Sequence, residues 1–93
     1  MIKHVVMWRY SDKKDIETAR EQLESLRGRV PGMLSIETGV NFLESPSSYD
    51  LVLITEHPDR AALDAYQEDP LHVQVKAVLG KLDSERVVVD YEI

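Results

Sequence analysis

Tyr66 and His72 are the residues of this chain whose types and spacing best fit a chemical site. They stand six positions apart in the stretch AYQEDPLHVQ, residues 65–74, with Asp69 and Pro70 between them. Imidazole readily accepts a proton near neutral pH, as a general base must. One hypothesis is therefore that the pair forms a catalytic site with His72 as the general base. The alternative is that the two side chains only hydrogen-bond each other or the backbone and close the joint between two helices.

The position of His72 in its helix predicts its protonation state. Asp69 as N-cap and Pro70 at the first helical position are a strong start signal, so His72 is the third residue of a helix. The unpaired amides and the dipole at this end of a helix disfavour an added positive charge. We therefore expect a neutral imidazole. His72 shares a helical face with Val75 and Leu79, so it should point toward the sheet.

A mostly apolar pocket is expected around these side chains. Tyr66 lies on the inward side of the preceding short helix, and His4 shares a face of the first strand with Trp8, so three polar groups should converge. A cavity with apolar walls and a few convergent polar groups is the usual form of a small-molecule site. The candidate catalytic residues are His72 and Tyr66. The candidate ligand-binding residues are His4, Val6, Trp8, Leu23, Leu63 and Val75.

Other classes of site find no support in the sequence. The three histidines, His4, His57 and His72, lack the short helical spacing of a zinc motif, and the chain contains no cysteine. No glycine-rich phosphate loop and no GxSxG motif occurs. No metal, nucleotide or other cofactor is therefore expected. His57, followed by Pro58, is predicted to be the exposed end of a strand.

Composition limits the number of domains and the kinds of partner. A chain of 93 residues supports one hydrophobic core, so residues 2–93 are expected to form one domain. The net charge of −6 and the scattered basic residues argue against nucleic acid and against an anionic membrane surface. No signal-peptide pattern and no apolar run of membrane-spanning length is present. Together with the lack of cysteine, this composition predicts a soluble cytoplasmic protein.

Apolar periodicity predicts the elements that position these side chains. Alternation and β-branched content predict strands at residues 2–10, 34–42, 49–56 and 86–93. Helical spacing predicts a first helix of about four turns that has Ser11 or Asp12 as its cap and ends near Gly28. Two further helices are predicted at residues 60–68 and 70–79. This order predicts an α+β, ferredoxin-like fold, in which a four-stranded antiparallel sheet carries the helices on one face.

The sheet is expected to be apolar on both faces. On the first strand His4, Val6 and Trp8 share one face, and Val5 and Met7 share the other. Helices cover only one face, and each Å² of apolar surface left in water forgoes roughly 25 cal/mol. We therefore predict a homodimer in which two sheets pack face to face with the helices outside. A monomer with an unusually apolar outer face is the alternative.

The whole chain resembles the stress-responsive dimeric A/B barrel (Dabb) family. The most specific match is a YxxxPxH pattern, here Tyr66, Pro70 and His72, combined with His4 near the start of the first strand. Further similar segments are KHVVMWRY, VPGM, YDLVLITE and VVVDYE. The resemblance implies a dimeric α+β barrel, in agreement with the dimer expected from the two-faced sheet.

The resemblance extends to plant polyketide cyclases of this family and implies roles for the same residues. His72 would be the general base that removes a proton next to a carbonyl, Tyr66 would hold the oxyanion, and His4 would position the substrate. The chain has Asp69 where those cyclases carry histidine, so the resemblance does not transfer the substrate.

Three functions remain open from the sequence. The first is binding of a small apolar or carbonyl-containing molecule without turnover. The second is a cofactor-independent, aldol-type cyclase or lyase. The third is a monooxygenase of the antibiotic-biosynthesis type, which shares the dimeric plan.

Overall fold

The computed structural model describes all 93 residues as a four-stranded sheet with three helices. In chain order the elements are β1 (Ile2–Tyr10), α1 (Asp15–Glu24), β2 (Ser35–Val40), β3 (Leu51–His57), α2 (Arg60–Glu68), α3 (Pro70–Leu79) and β4 (Ser84–Glu92). The strand order is β2-β3-β1-β4, and every neighbouring pair is antiparallel. The predicted ferredoxin-like fold is confirmed.

Alternation along the central strands builds the inner face of the sheet. In the β1–β3 ladder, Val6 pairs with Leu53 and Trp8 with Leu51, and all four side chains are buried. Successive side chains of a strand point to opposite faces, so these residues meet the helices on one side. The hydrophobic core consists of Val6, Trp8, Tyr10, Ala19, Leu23, Leu26, Val30, Ile36, Leu51, Leu53, Tyr66, Val75 and Leu79.

Helices α2 and α3 begin at the acidic caps that the sequence indicates. The Asp59 carboxylate accepts a 2.8 Å hydrogen bond from the Ala62 amide, and the Asp69 carboxylate accepts one of 2.9 Å from the Leu71 amide. Each bond satisfies an amide that has no partner within its helix. None of the three helices is long and apolar enough to cross a membrane.

Helix α1 is shorter than predicted. It has ten residues and begins at Asp15, so neither Ser11 nor Asp12 is its cap. The Asp12 carboxylate accepts a hydrogen bond from the Lys14 amide, so it caps a turn that precedes the helix. The N-cap of α1 is Lys14, and its side chain makes no capping bond.

Apolar periodicity continues beyond α1 because the following turns also pack on the core. Leu26 and Val30 are buried although the last helical residue is Glu24. Gly28 and Gly32 have φ angles of 70° and 81°, which are readily accessible only to glycine, and they turn the chain toward β2.

Strand β2 ends earlier than its alternating pattern predicts. The ladder to β3 stops at Val40, and the Asn41 side chain donates a hydrogen bond to the Leu43 carbonyl, which starts a loop. Phe42, expected on the strand, is therefore 96% exposed.

Strand β4 lies at the edge of the sheet and remains open. The helices pack against β1, β2 and β3, and residues 85–92 are exposed. The register places Val87, Val89 and Tyr91 on the outer face beside Met7. As the sequence predicts, the outer face of a single chain exposes apolar side chains to water.

Candidate functional site

Tyr66 is surrounded by the rings of all three histidines. The His72 ring stacks on it with centroids 4.0 Å apart and planes 26° apart. His57 lies tilted at 5.0 Å, and His4 approaches edge-on at 5.9 Å. Residues from β1, β3, α2 and α3 therefore meet at one point. No group of three or more His, Cys, Asp or Glu side chains is arranged to hold a metal ion.

The joint between α2 and α3 produces the stacked pair. Tyr66 lies in the last turn of α2, and Asp69 has an extended backbone with φ −58° and ψ 130°. Pro70 then starts α3, which brings His72 over the Tyr66 ring. Tyr66 is 0% exposed and His72 is 6% exposed.

Burial keeps both rings of the pair neutral. Desolvation, and then the charge of Lys76, lower the pKa of His72 to about 4, although the carbonyl groups of Gln67 and Tyr66 oppose this shift. Desolvation raises the pKa of Tyr66 to about 12, with Arg86 acting in the opposite direction. At neutral pH the imidazole is therefore unprotonated, and the phenol keeps its proton.

The pair is joined by ring stacking and not by a hydrogen bond. The Tyr66 hydroxyl and His72 Nδ1 are both buried, and neither has a hydrogen-bond partner within the chain. The two side chains therefore do not hydrogen-bond each other. Buried polar groups are nearly always paired, and three of the four buried side-chain atoms without a partner belong to this ring cluster, in Tyr66, His72 and His57, while the fourth is the Tyr10 hydroxyl.

His4 is oriented by a residue that the sequence analysis did not identify. The Asp90 carboxylate of β4 accepts a hydrogen bond from His4 Nδ1, and the two residues are direct partners in the β1–β4 ladder. A carboxylate only accepts, so Nδ1 carries the proton in this hydrogen bond. The partners are 86 positions apart, and only the strand register shows the pairing.

The prediction that His57 is exposed is wrong. Strand β3 continues beyond Glu56 to His57, which pairs with Ile2 and is fully buried on the inner face. Its Nε2 lies 2.9 Å from the Thr55 hydroxyl, and its Nδ1 has no partner. Desolvation, and then His4, lower its pKa. The sequence did contain a signal for this burial, because His57 continues the two-residue alternation of Leu51, Leu53 and Thr55 on the inner face.

A cavity of about 550 Å³ opens beside the ring cluster, between β1, β4 and α3. Its apolar walls are Val6, Trp8, Leu23, Leu53, Leu79 and Leu82. Its polar side chains are His4, Gln67, His72, Lys76, Ser84 and Arg86. Five of the sequence-derived candidates thus lie together at one cavity: His4, Val6, Trp8, Leu23 and His72.

Three other candidates lie outside this lining. Tyr66 is buried against the His72 ring, and Val75 is part of the core. Leu63 is half-buried and faces a second cavity of about 440 Å³ that Ile2 and Asp90 also line. Helical spacing showed that these side chains turn inward, but it could not show how far each lies from the open space.

The sequence analysis missed the cationic side chains of the cavity. Lys76 lies one turn after His72 on α3, so helical spacing could have indicated it. Arg86 is the β4 partner of Trp8, and only the strand register reveals its position. Both line the cavity, which has no Asp or Glu in its lining.

Fold and site together define a ferredoxin-like α+β domain with a ligand-sized cavity between its sheet and its helices. The chain belongs to the stress responsive A/B barrel domain (Dabb) family, whose sequence profile matches residues 2–93. No curated protein is significantly similar to the chain.

Several solved structures share this fold. A dimeric ferredoxin-like protein of unknown function from Jannaschia sp. CCS1 is 27% identical, with a TM-score of 0.79 over 99% of this chain and 98% of that chain. A hydroxynitrile lyase from Passiflora edulis is 16% identical, with a TM-score of 0.83 over 99% and 92% of the two chains. An antibiotic biosynthesis monooxygenase is 22% identical, with a TM-score of 0.71 over 100% and 98%.

Proposed function

We propose that this protein is a homodimer whose cavity binds a small, largely apolar molecule that carries a carbonyl group. The cavity volume of about 550 Å³ falls within the usual range for ligand sites, roughly 300–1,000 Å³. Apolar side chains form half of the walls, and His4 and His72 supply polar atoms at one side. This combination of walls and polar atoms is the observation that carries the proposal.

The homodimer is supported by the outer face of the sheet. Met7, Val87, Val89 and Tyr91 expose apolar surface there, and no element of the same chain covers it. A second copy that packs its own outer face on this surface would remove both faces from water. The structure from Jannaschia sp. CCS1, which has the same fold, is described as dimeric.

Trp8 offers a direct test of binding, because it is the only tryptophan and it lines the cavity. Titration with 4-decanone should change the tryptophan fluorescence and saturate. Ser84→Phe places a ring in the cavity and should weaken binding about tenfold or more. Ser47→Phe, on an exposed loop, is the matched control and should bind as the unmodified protein does. Unsaturable fluorescence, or equal binding by both variants, would contradict a ligand site in this cavity.

A second candidate function, a cofactor-independent lyase or cyclase, is favoured by the state of His72 at the cavity. Burial keeps its ring neutral, and its Nδ1 has no hydrogen-bond partner within the chain. His4, which also lines the cavity, is held in place by the Asp90 carboxylate. A neutral imidazole at the wall of a ligand cavity is a suitable group for proton transfer.

In this reaction His72 removes a proton from the carbon next to the ligand carbonyl. The electron pair of the broken C–H bond moves onto the carbonyl oxygen and forms an enolate. The Tyr66 hydroxyl is protonated, has no partner and lies outside the cavity lining, so it donates a hydrogen bond to that oxygen only when the ligand reaches past the His72 ring. The enolate carbon can then attack a second carbonyl, as in an aldol reaction, or recover a proton. His4 positions the ligand.

Proton removal can be measured without knowledge of the natural substrate. In D₂O, exchange at the carbons next to the 4-decanone carbonyl, followed by proton NMR, should be faster with the protein than without it. His72→Gln should lower the catalysed rate by about 10²–10⁴-fold, the usual contribution of a general base. If only His4→Gln removes the activity, His4 is the base. If the exchange rate does not change with protein while fluorescence shows binding, the protein binds this ligand without turnover.

A further inference from the structure

We infer that the ligand of the cavity carries a carboxylate, which Lys76 and Arg86 bind. This inference rests on the proposed binding function of the same cavity and adds the chemical class of its ligand. The 4-decanone assay above tests whether the cavity binds at all, so an anion requirement can be tested separately.

The charges that line the cavity all have one sign. Lys76 and Arg86 are its only lining residues with a permanent charge, in a protein whose net charge is −6. Elsewhere in the chain most arginines form ion pairs. These pairs are Arg9 with Glu85, Arg20 with Glu17, Arg27 with Glu24 and Arg60 with Glu92. Neither Lys76 nor Arg86 has a salt-bridge partner or a side-chain hydrogen bond within the chain.

The two cations come from different walls of the cavity. Lys76 belongs to α3 and Arg86 belongs to β4, and the open space lies between these elements. A carboxylate can accept hydrogen bonds from a guanidinium and an ammonium at the same time, and charge-assisted bonds of this kind are stronger than neutral ones. Two cations that line the same cavity and have no acidic partner can bind a single anionic group between them.

The cations also lie close to the proposed acid–base pair. The charge of Lys76 acts on His72, and the charge of Arg86 acts on Tyr66. A carboxylate held by both would place the carbon chain of the ligand against the apolar wall formed by Leu23, Leu53 and Leu79. Its carbonyl group would then lie near His72. An oxo acid satisfies both the cationic and the apolar parts of the cavity.

The test compares 4-oxodecanoate with its methyl ester, which has the same chain and ketone but no charge. Binding is followed by Trp8 fluorescence in the intact protein at low and high salt. We expect the acid to bind about tenfold more tightly than the ester, and we expect added salt to reduce this ratio. The double variant Lys76→Gln, Arg86→Gln should lose this preference and bind acid and ester with equal affinity.

A matched control removes the same charge outside the cavity. Lys81 and Arg29 are exposed, lack a salt bridge and do not line the cavity, so Lys81→Gln with Arg29→Gln should keep the preference for the acid. If the unmodified protein binds both compounds equally, or if the control loses the preference as the cavity variant does, the inference is overturned while the binding function stands. Failure to bind the ester, the acid and 4-decanone would overturn both.

Discussion

The His72 ring lies on the Tyr66 ring with centroids 4.0 Å apart, and neither the Tyr66 hydroxyl nor His72 Nδ1 has a hydrogen-bond partner. The two side chains therefore contribute packing to the helix joint while they leave polar atoms unused. Each unpaired buried polar group destabilises a fold by about 1–3 kcal/mol. Substitutions of Tyr66 and His72 can therefore be compared for their effects on the stability of the fold and on the rate of the proposed reaction.

Tyr66→Phe should make the protein more stable and less active. The variant keeps the ring that stacks on His72 and removes a buried hydroxyl that has no partner, so the free energy of unfolding should rise by about 1 kcal/mol. If the hydroxyl donates to an oxyanion, the rate of deuterium exchange should fall about 10²–10³-fold. Urea unfolding and the exchange assay measure the two effects. A stable variant with full activity would show that Tyr66 acts only through its ring.

The stability of the fold should fall as the pH decreases from about 6.5 to 4, partly because of His72. The ordinary pKa of a histidine side chain is 6.5, whereas the pKa of His72 in the folded chain is about 4, so the unfolded chain binds the proton more readily in this interval. By linkage the free energy of unfolding then decreases with falling pH. After a reduction for the solvent that reaches the ring through the cavity, the contribution of His72 is about 2 kcal/mol.

His72→Gln isolates this contribution from the carboxylates that titrate in the same range. The difference in unfolding free energy between pH 7 and pH 4.5, from urea melts, should be smaller in the variant than in the unmodified protein. Identical differences in the two proteins would mean that the His72 pKa is not depressed.

Thr55 and His57 should show coupled stabilities. Each is the hydrogen-bond partner of the other, at 2.9 Å, and both are fully buried. Thr55→Val leaves His57 Nε2 unpaired, and His57→Phe leaves the hydroxyl without its partner, so each should destabilise by about 1–3 kcal/mol. The double variant removes both polar groups. Its loss of unfolding free energy should be about 1–2 kcal/mol smaller than the sum of the losses in the two single variants. Additive effects in urea melts would exclude the bond.

Asp69 should act as a helix cap whose removal disturbs the site. Asp69→Ala removes the bond to the Leu71 amide and should lower the free energy of unfolding by about 1 kcal/mol. Asp69→Asn keeps an oxygen at the same position and should stay within a few tenths of a kcal/mol of the unmodified protein. Thermal melts compare the three proteins. An equal loss of stability in the Asn and Ala variants would indicate a role for the charge instead of the cap.

The outer face of the sheet should hold the homodimer together. Val89→Lys places a charge in that face once in each copy, so it should raise the dissociation constant about a hundredfold or more. Val73→Lys is the matched control, because Val73 is 48% exposed on α3 while Val89 is 58% exposed on the outer face. Sedimentation equilibrium should show monomers for the first variant and dimers for the second. Loss of the dimer only in Val73→Lys would place the interface on the helices.

Local signals in the sequence determined most of the elements and part of the site. Caps at Asp59 and Asp69 and the two-residue alternation of β1 depend on neighbours within a few positions, so they can be read directly. The same periodicities correctly predicted that His4, Tyr66 and His72 face the interior between the sheet and the helices. The prediction from periodicity failed at Phe42, because the β2–β3 ladder stops at Val40 and Phe42 lies in the following loop.

Only the tertiary structure decided which distant residues share the cavity. Asp90 meets His4, and Arg86 faces the open space beside Trp8, because the β1–β4 register aligns the two ends of the chain. His57 is buried because β3 gains one more pair in its ladder. A shift of one residue in register would turn every side chain of a strand to the other face, and no periodicity within a single segment specifies that alignment.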